Sequence, residues 1–169
     1  MDFTLSNEVE EYREAVRNFV DKEIIPLEAD KSNYDHHENI ALKVLKATQD
    51  KVKAAGLWAP QMPKDRGGLG FNQIGMAASY EEMNRSIFGP VCFNCSAPDD
   101  GNMFVLDRVA TKDQKDKWLQ PIIDGRVRSS FVMTEPHPGS GSDPSMMLTK
   151  AEPLGLSLIH ISEPTRRRG

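Results

Sequence analysis

The sequence predicts a mainly α-helical protein in which about five helices are followed by the first strand of a β domain. Over most of the first 125 residues, apolar side chains recur at three- and four-residue spacing, which is the period of a helix buried on one side. From Arg126 to Met133, apolar and polar residues alternate, as in a half-buried strand. The predicted organisation is therefore a helical domain over 1–125 and the start of a β domain over 126–153.

The composition is that of a folded, water-soluble domain. The chain has 169 residues, of which 38% are hydrophobic and 27% charged. It has no apolar run near the roughly 20 residues of a membrane helix, and its first residues do not form a signal peptide, so a cytoplasmic location is expected. Residues 154–169 hold three Arg and one Glu, so the net charge of −4 leaves −6 on residues 1–153. This acidity argues against a nucleic-acid partner.

Two helices are predicted in the first 56 residues. Ser6 can cap the first helix, which Pro26 is expected to end. The second runs from about Ile40 to Ala55, with Gly56 at its end. Its inward face is predicted to be Ala41, Val44, Leu45, Thr48, Val52 and Ala55, and its solvated face Lys43, Lys46, Gln49, Asp50 and Lys53.

The other three helices follow a glycine-rich bend over 67–70. The bend lacks a preceding strand and a following Lys-Ser/Thr pair, so it is not predicted to hold phosphate. Asn72 caps the third helix, which places Met76, Ala77, Tyr80, Met83 and Ile87 inward and closes at Gly89-Pro90. A short fourth helix carries Met103, Leu106 and Val109. The capping box of Thr111 and Gln114 opens the fifth, which contains Trp118, Leu119 and Ile122 and ends at Gly125.

Residue patterns for metal, redox or nucleophilic chemistry are weak. Cys92 and Cys95 form a single C-x-x-C without a second ligand pair, so two reduced, partly buried thiols are expected. Adjacent acids at 99 and 100 fit a helix N-terminus better than a metal site. The histidines at 36, 37 and 137 have no neighbours at ligand or triad spacing.

The stretch over 130–143 ends the predicted strand in a Gly/Ser turn. Its two prolines, at 136 and 138, remove backbone donors and so prevent further strand pairing. Gly139 and Gly141 permit positive φ and close approach of the backbone. Such a turn can direct backbone N–H groups and the hydroxyls of Ser140 and Ser142 at a single ligand.

The amino-acid sequence of this stretch resembles a known family motif. Met-Thr-Glu-Pro at 133–136, followed by Gly-Ser-Gly-Ser-Asp at 139–143, is similar to the T-E-P…G-x-G-S-D signature of the acyl-CoA dehydrogenases. The resemblance extends to a Gly-Gly-x-Gly bend that enters a helix, at 67–70, and to the order of a helical domain before a middle β domain. It covers essentially all of residues 1–153. One departure is the insertion of His137 and Pro138 before the glycines.

The resemblance implies an oxidoreductase of fatty acid metabolism that oxidises the Cα–Cβ bond of acyl-CoA thioesters with FAD. It also implies the residues that contact cofactor and substrate. The expected flavin contacts are Phe131, Met133, Thr134, Gly141 and Ser142, and Ser142 is also the expected substrate contact. The insertion leaves open whether Ser140 takes this serine's place, although Ser142 keeps the Gly-Ser-Asp order. Electrons are expected to pass to an electron-transferring flavoprotein, and the full-length protein is expected to be a homo-oligomer.

The resemblance assigns no catalytic residue to this chain. In the family a glutamate of the C-terminal helical domain is the base, and Glu135 is expected to be structural. Residues 154–169 resemble translated adaptor sequence and are expected to be non-native. The chain is thus interpreted as a fragment that is inactive alone and binds FAD poorly. The alternative is a non-catalytic helical interaction module derived from the same domain.

Overall fold

The computed structural model describes residues 4–137, 139–154 and 157–161. The chain divides into two units, a helical one that ends at Ser130 and a second one that begins at Phe131. In the helical unit, regular structure consists of α1 (Asn7–Phe19), a π-helical turn (Val20–Ile24), α2 (Ile25–Glu28), a 3-10 turn (Lys31–Asn33), α3 (Leu42–Ala54), a 3-10 turn (Lys64–Arg66), α4 (Gln73–Met83), α5 (Gly89–Cys92), α6 (Asp99–Val109), α7 (Lys112–Gln114), a π-helical turn (Lys115–Leu119) and α8 (Gln120–Ile123). No helix in the described part of the chain is long and apolar enough to cross a membrane.

The first helix begins as predicted but does not end at Pro26. Ser6 accepts a hydrogen bond from the backbone N–H of Val9, which confirms the cap. The helical path continues through the π-helical turn into α2, where Pro26 lies in the first turn. The π-helical turn has a different hydrogen-bond spacing from an α-helix, and the first N–H groups of α2 need no partner within the helix. The missing N–H of proline is therefore tolerated there. The prediction that Pro26 ends the helix was therefore wrong.

Helix α3 is shorter than predicted and buries one residue of its expected solvated face. Gly56 follows it with φ of 71°, as expected of the residue after a helix end. Gln49 is 4% exposed, and its Nε2 donates to the carbonyl oxygen of Val91 at 3.1 Å. The prediction that Gln49 is solvated was wrong, because a distant backbone carbonyl gives this amide a partner inside the fold.

Helix α4 begins at its predicted cap and ends earlier than predicted. The side chain of Asn72 accepts from the N–H of Gly75 at 3.0 Å. The helix stops at Met83, and Ile87, predicted to face inward, is 70% exposed. Gly89 and Pro90 open α5 rather than close α4. The helical period simply does not extend past Met83, so Ile87 does not share its inward face.

A buried ion cluster joins α1 to α4. Glu82 is 1% exposed, and its carboxylate accepts from Arg17 at 2.7 and 2.9 Å and from Arg13 at 3.1 Å. Arg85 lies 3.7 Å from the same carboxylate. These arginines satisfy the carboxylate, mainly through the Arg17 hydrogen bonds, and hold its pKa below the usual value. The cluster therefore fixes the position of α1 along α4.

Two buried side chains from other parts of the chain form hydrogen bonds with the last carbonyl groups of α8. Trp58 Nε1 donates to the carbonyl oxygen of Ile123 at 2.7 Å, and Asn94 Nδ2 donates to those of Ile122 and Ile123 at 3.0 and 3.2 Å. A helix leaves its last carbonyls without partners, so these two side chains satisfy them inside the protein. The capping box of Thr111 is present as predicted, and Gly125 has φ of 68°.

The strand predicted over 126–133 is not found in the structure. None of these residues belongs to a strand, and the side chains of Val127 and Phe131, expected on a buried face, are 48% and 66% exposed. Alternation alone does not make a strand, because a strand needs a partner for its backbone groups.

Strands occur later in the second unit. β1 (Lys150–Leu154) pairs antiparallel with β2 (Ser157–Ile161), with Lys150 opposite Ile161 and Leu154 opposite Ser157. Of the segment predicted to be non-native, residues 155, 156 and 162–169 lie outside the described residues. That residues 154–169 are non-native stays a prediction.

Candidate functional site

The Gly/Ser turn of the second unit is built around the carboxylate of Glu135. Its oxygens accept from the backbone N–H of Ser140 at 3.1 Å, of Leu148 at 2.9 and 3.1 Å and of Thr149 at 2.6 Å. The backbone N–H of Glu135 also donates to the carbonyl oxygen of Gly141 at 2.9 Å. One side chain thus gathers both ends of the loop over 135–149.

These amides determine the charge of Glu135. Hydrogen bonds from Leu148, then from Thr149 and Ser140, lower its pKa to about 2, because they stabilise the ionised carboxylate. A general base at neutral pH works best with a pKa near the pH of the reaction. Glu135 is therefore suited to hold the loop and poorly suited to take a proton from a substrate, as its predicted structural role requires.

Both glycines of the turn have a physical reason to be glycine. A Cβ at Gly139 would lie 2.7 Å from Cβ and 2.8 Å from Oε2 of Glu135, too close for any side chain. Gly141 has φ of 60°, a region that residues with a Cβ rarely adopt. Among the described residues other than its two chain neighbours, no heavy atom lies within 4 Å of a Cβ placed at Gly141, so that side of its backbone is open to approach.

The two serines of the turn are used differently. Ser140 donates its N–H to Glu135, and its hydroxyl donates to the carbonyl oxygen of Gly141 at 3.4 Å. Ser142 is exposed, and no hydrogen bond joins it to the other described residues. Ser142 is thus available to a ligand, whereas Ser140 is part of the turn.

The residue after Ser142 ends the turn. The Asp143 carboxylate accepts from the N–H of Ser145 at 2.9 Å and from its hydroxyl at 2.6 Å. These bonds open a 3-10 turn, Pro144–Met146, and lower the pKa of Asp143. The acid of the Gly-Ser-Asp sequence is therefore a cap.

The remaining predicted ligand residues lie in the segment before the turn. Phe131 is 66% exposed, Thr134 is exposed and Met133 is half-buried. This segment belongs to the same unit as the turn, and no hydrogen bond is found between Thr134 and the described residues of the turn. The structure therefore offers an apolar ring, a thioether and a hydroxyl at accessible positions.

Other groups that the sequence singled out form no reactive site in the described parts of the chain. Cys92 and Cys95 are free and buried, and burial raises the pKa of the Cys92 thiol to about 12. Among the described residues, no three His, Cys, Asp or Glu side chains are grouped to hold a metal ion. Asp99 and Asp100 lie in the first turn of α6, as predicted.

Comparison with known proteins places the helical domain in one family. The model of the acyl-CoA dehydrogenase N-terminal domain matches residues 6–126. Mouse acyl-CoA dehydrogenase family member 10 is 32% identical over 166 residues, an alignment that covers 92% of this chain and 15% of the mouse protein.

Solved structures show the same fold. A Mycobacterium abscessus protein assigned to the acyl-CoA dehydrogenases matches with a TM-score of 0.78 at 34% identity, covering 90% of this chain and 40% of that one. A glutaryl-CoA dehydrogenase from Mycobacterium smegmatis, in complex with FADH2, matches with a TM-score of 0.67 at 22% identity, covering 92% and 38%.

The family match spans most of the helical unit. This chain therefore belongs to the acyl-CoA dehydrogenase family, through its N-terminal helical domain. It spans well under half the length of the relatives described above.

Proposed function

We propose that this chain is the N-terminal part of an FAD-dependent acyl-CoA dehydrogenase, which oxidises the Cα–Cβ bond of acyl-CoA thioesters. The observation that carries the proposal is the turn over 135–143, which follows the matched helical domain and leaves Ser142 and the backbone of Gly141 open. Backbone N–H groups in such a turn can receive phosphate or carbonyl oxygens. Bound FAD would supply the acceptor for the substrate hydride.

The accessible residues fit the groups they are proposed to meet. Phe131 and Met133 would pack on the apolar ring of the flavin, and the hydroxyl of Thr134 would donate to its polar edge. Gly141 and Ser142 would donate their N–H groups to the pyrophosphate. The Ser142 hydroxyl would also face the acyl-CoA. A fixed donor near developing negative charge stabilises that charge more than water does.

We assign no catalytic residue to the described chain. A thioester α-proton requires a base with a pKa well above that of Glu135, and Glu135 already accepts backbone hydrogen bonds. The chain alone is expected not to oxidise acyl-CoA and to bind FAD weakly. For the parent enzyme we propose fatty acid metabolism in the cytoplasm, homo-oligomerisation and electron transfer to an electron-transferring flavoprotein.

The test is an acyl-CoA titration of the chain in the presence of FAD, followed by flavin fluorescence, with two matched serine variants. Ser142→Ala removes a hydroxyl that is free in the structure and is expected to weaken acyl-CoA-dependent binding about tenfold, the equivalent of one hydrogen bond. Ser140→Ala removes a hydroxyl that the turn already uses, and should leave ligand affinity unchanged. Equal effects of the two variants would contradict the assignment of Ser142.

An activity assay tests the absence of a base in this chain. The purified chain, supplied with FAD, an acyl-CoA and an artificial electron acceptor, is expected to reduce no acceptor. Turnover by the chain alone would overturn this part of the proposal. Failure to bind FAD, even when the chain is combined with the C-terminal part of a relative, would favour a non-catalytic interaction module.

A further inference from the structure

The first turn of α6 holds the last three residues of the helical unit. The Asp99 carboxylate accepts from the backbone N–H of Ser129 at 2.6 Å and from its hydroxyl at 2.7 Å. Its second oxygen pairs with Nε of Arg128. Asn102, one helical turn later, donates to the Ser129 hydroxyl at 2.9 Å and to the carbonyl oxygen of Ser130 at 3.2 Å.

These contacts form a chain of hydrogen bonds that all run in one direction, which we call the relay. Asn102 Nδ2 donates to the hydroxyl of Ser129, and the same hydroxyl donates to Asp99. Asp99 is 3% exposed, and a buried carboxylate is stable only when charge and hydrogen bonds compensate it. Arg128 supplies the charge, and Ser129 supplies two donors. The arrangement is therefore demanding, because the loss of one member leaves another without a partner.

The relay ends where the proposed ligand segment begins. Ser130 is bonded directly to Phe131, the first residue proposed to contact the flavin. We infer that Asp99 and Asn102 are positioning residues for the segment 131–134, because they hold Ser129 and Ser130, the residues that lead directly into that segment. This inference rests on the proposed function for its ligand, but its geometric part stands on the contacts of Ser129 and Ser130.

A backbone segment that is already ordered loses less conformational entropy when it binds a ligand. Ordering a flexible backbone opposes binding, and a segment fixed at its first residue has less freedom to lose when a ligand contacts it. The relay involves neither Thr134 nor Ser142, so its removal takes away no proposed ligand contact. A loss of affinity in a relay variant would therefore report positioning alone.

The experiment compares two relay variants with a control on the same helix. Asn102→Ala removes both donors to 129 and 130, and alanine is the best helix former. Ser129→Ala removes the hydroxyl that links Asn102 to Asp99, and Ser129→Thr, which keeps the hydroxyl, should rescue it. Arg108→Ala changes an exposed residue of α6 outside the relay.

Two readouts separate positioning from general stability. Backbone 15N order parameters of residues 129–131 should fall from the rigid range, about 0.85, to below about 0.6 in both relay variants, while those of α6 stay unchanged. The dissociation constant for FAD should rise about tenfold in these variants, and Ser129→Thr and Arg108→Ala should match the wild type.

The outcomes are distinguishable. Unchanged order parameters in the relay variants would overturn the inference, as would unchanged FAD affinity where the wild type binds FAD. If the wild-type chain binds no FAD even when it is combined with the C-terminal part of a relative, the proposed ligand fails, and the order parameters still decide whether the relay fixes the segment. A parallel loss of order throughout α6 would show a structural role only and would also overturn it.

Discussion

Replacement of Glu82 by glutamine should destabilise the helical unit strongly for a single-atom change. In the wild type the Glu82 carboxylate, 1% exposed, accepts from both Arg13 and Arg17. Glutamine keeps the shape but replaces one oxygen by an NH2 group. Because arginine has only donors, that NH2 group would face a guanidinium without forming a hydrogen bond.

The expected magnitude follows from the contacts that are lost. A hydrogen bond to a charged group contributes about 1.5–3 kcal/mol net, and such values are not additive within one cluster. The side chains of Arg13 and Arg17 are 29% and 52% exposed, so water can solvate them after the change. We therefore expect a loss of about 2–3 kcal/mol, or about 5–10 °C in Tm for a chain of this size.

The assay is urea unfolding followed by circular dichroism, with Glu81→Gln as the control. Glu81 lies next to Glu82 on α4, but its side chain is 71% exposed. Its ion pair with Arg13 is 3.5 Å long, which is longer than the hydrogen bonds between Arg13, Arg17 and Glu82. Exposed pairs of this kind contribute about 0–1 kcal/mol. A Glu82→Gln loss no larger than that of the control would refute the reasoning that the buried cluster holds α1 against α4.

The loss of stability in Glu82→Gln should also depend on pH. Arg17 holds the folded-state pKa of Glu82 below its ordinary value of 4.5. A lowered folded-state pKa contributes stability that is full above the unfolded-state value and is lost as the pH falls through the folded-state value. The stability difference between wild type and Glu82→Gln should thus be complete at neutral pH and shrink below about pH 4.5. A difference that grows on acidification would contradict this sign.

Three further predictions follow from single sites. Gly68→Ala should cost about 1–3 kcal/mol in urea unfolding, because its Cβ would lie 2.1 Å from the carbonyl oxygen of Met62; an unchanged midpoint would contradict this. Glu135→Gln should increase protease cleavage within 135–149, and this difference from the wild type should shrink as the pH falls from about 4.5 towards the folded-state pKa of about 2; equal cleavage of the two proteins at neutral pH would contradict this. Cys92 and Cys95 should react with a thiol reagent only after denaturation, because both are buried and thiolate is the reactive form; rapid labelling of the native chain would be inconsistent with their burial.

Local signals in the sequence predicted the helix starts correctly. Ser6, Asn72 and the Thr111 box each cap their own helix, since a cap depends only on residues three or four positions apart. Gly56 and Gly125 likewise have the positive φ expected after a helix. The turn of the candidate site was predictable for the same reason, because its glycines and serines lie within a few residues of each other.

Long-range polar contacts could not be predicted in this way. Gln49 was placed on a solvated face, yet its partner is the backbone of residue 91. The partners of Glu82 lie on α1, and those of Asp99 lie some 30 residues later. A helical pattern marks a polar residue as outward unless its partner is known. The one available signal was that Arg13 and Arg17 lie one helical turn apart, on the same side of α1.

Two carboxylates order backbone on either side of 131–134, the segment on which the proposed function depends. Asp99 accepts the N–H of Ser129 within the helical unit, and Glu135 accepts the N–H groups of Leu148 and Thr149 within the second unit. In both cases an ionised oxygen satisfies backbone donors of an irregular segment that has no ladder to satisfy them. Neither contact uses Phe131, Thr134 or Ser142. Acidic side chains thus order the backbone on either side of 131–134, and the proposed ligand contacts take no part in either set of hydrogen bonds.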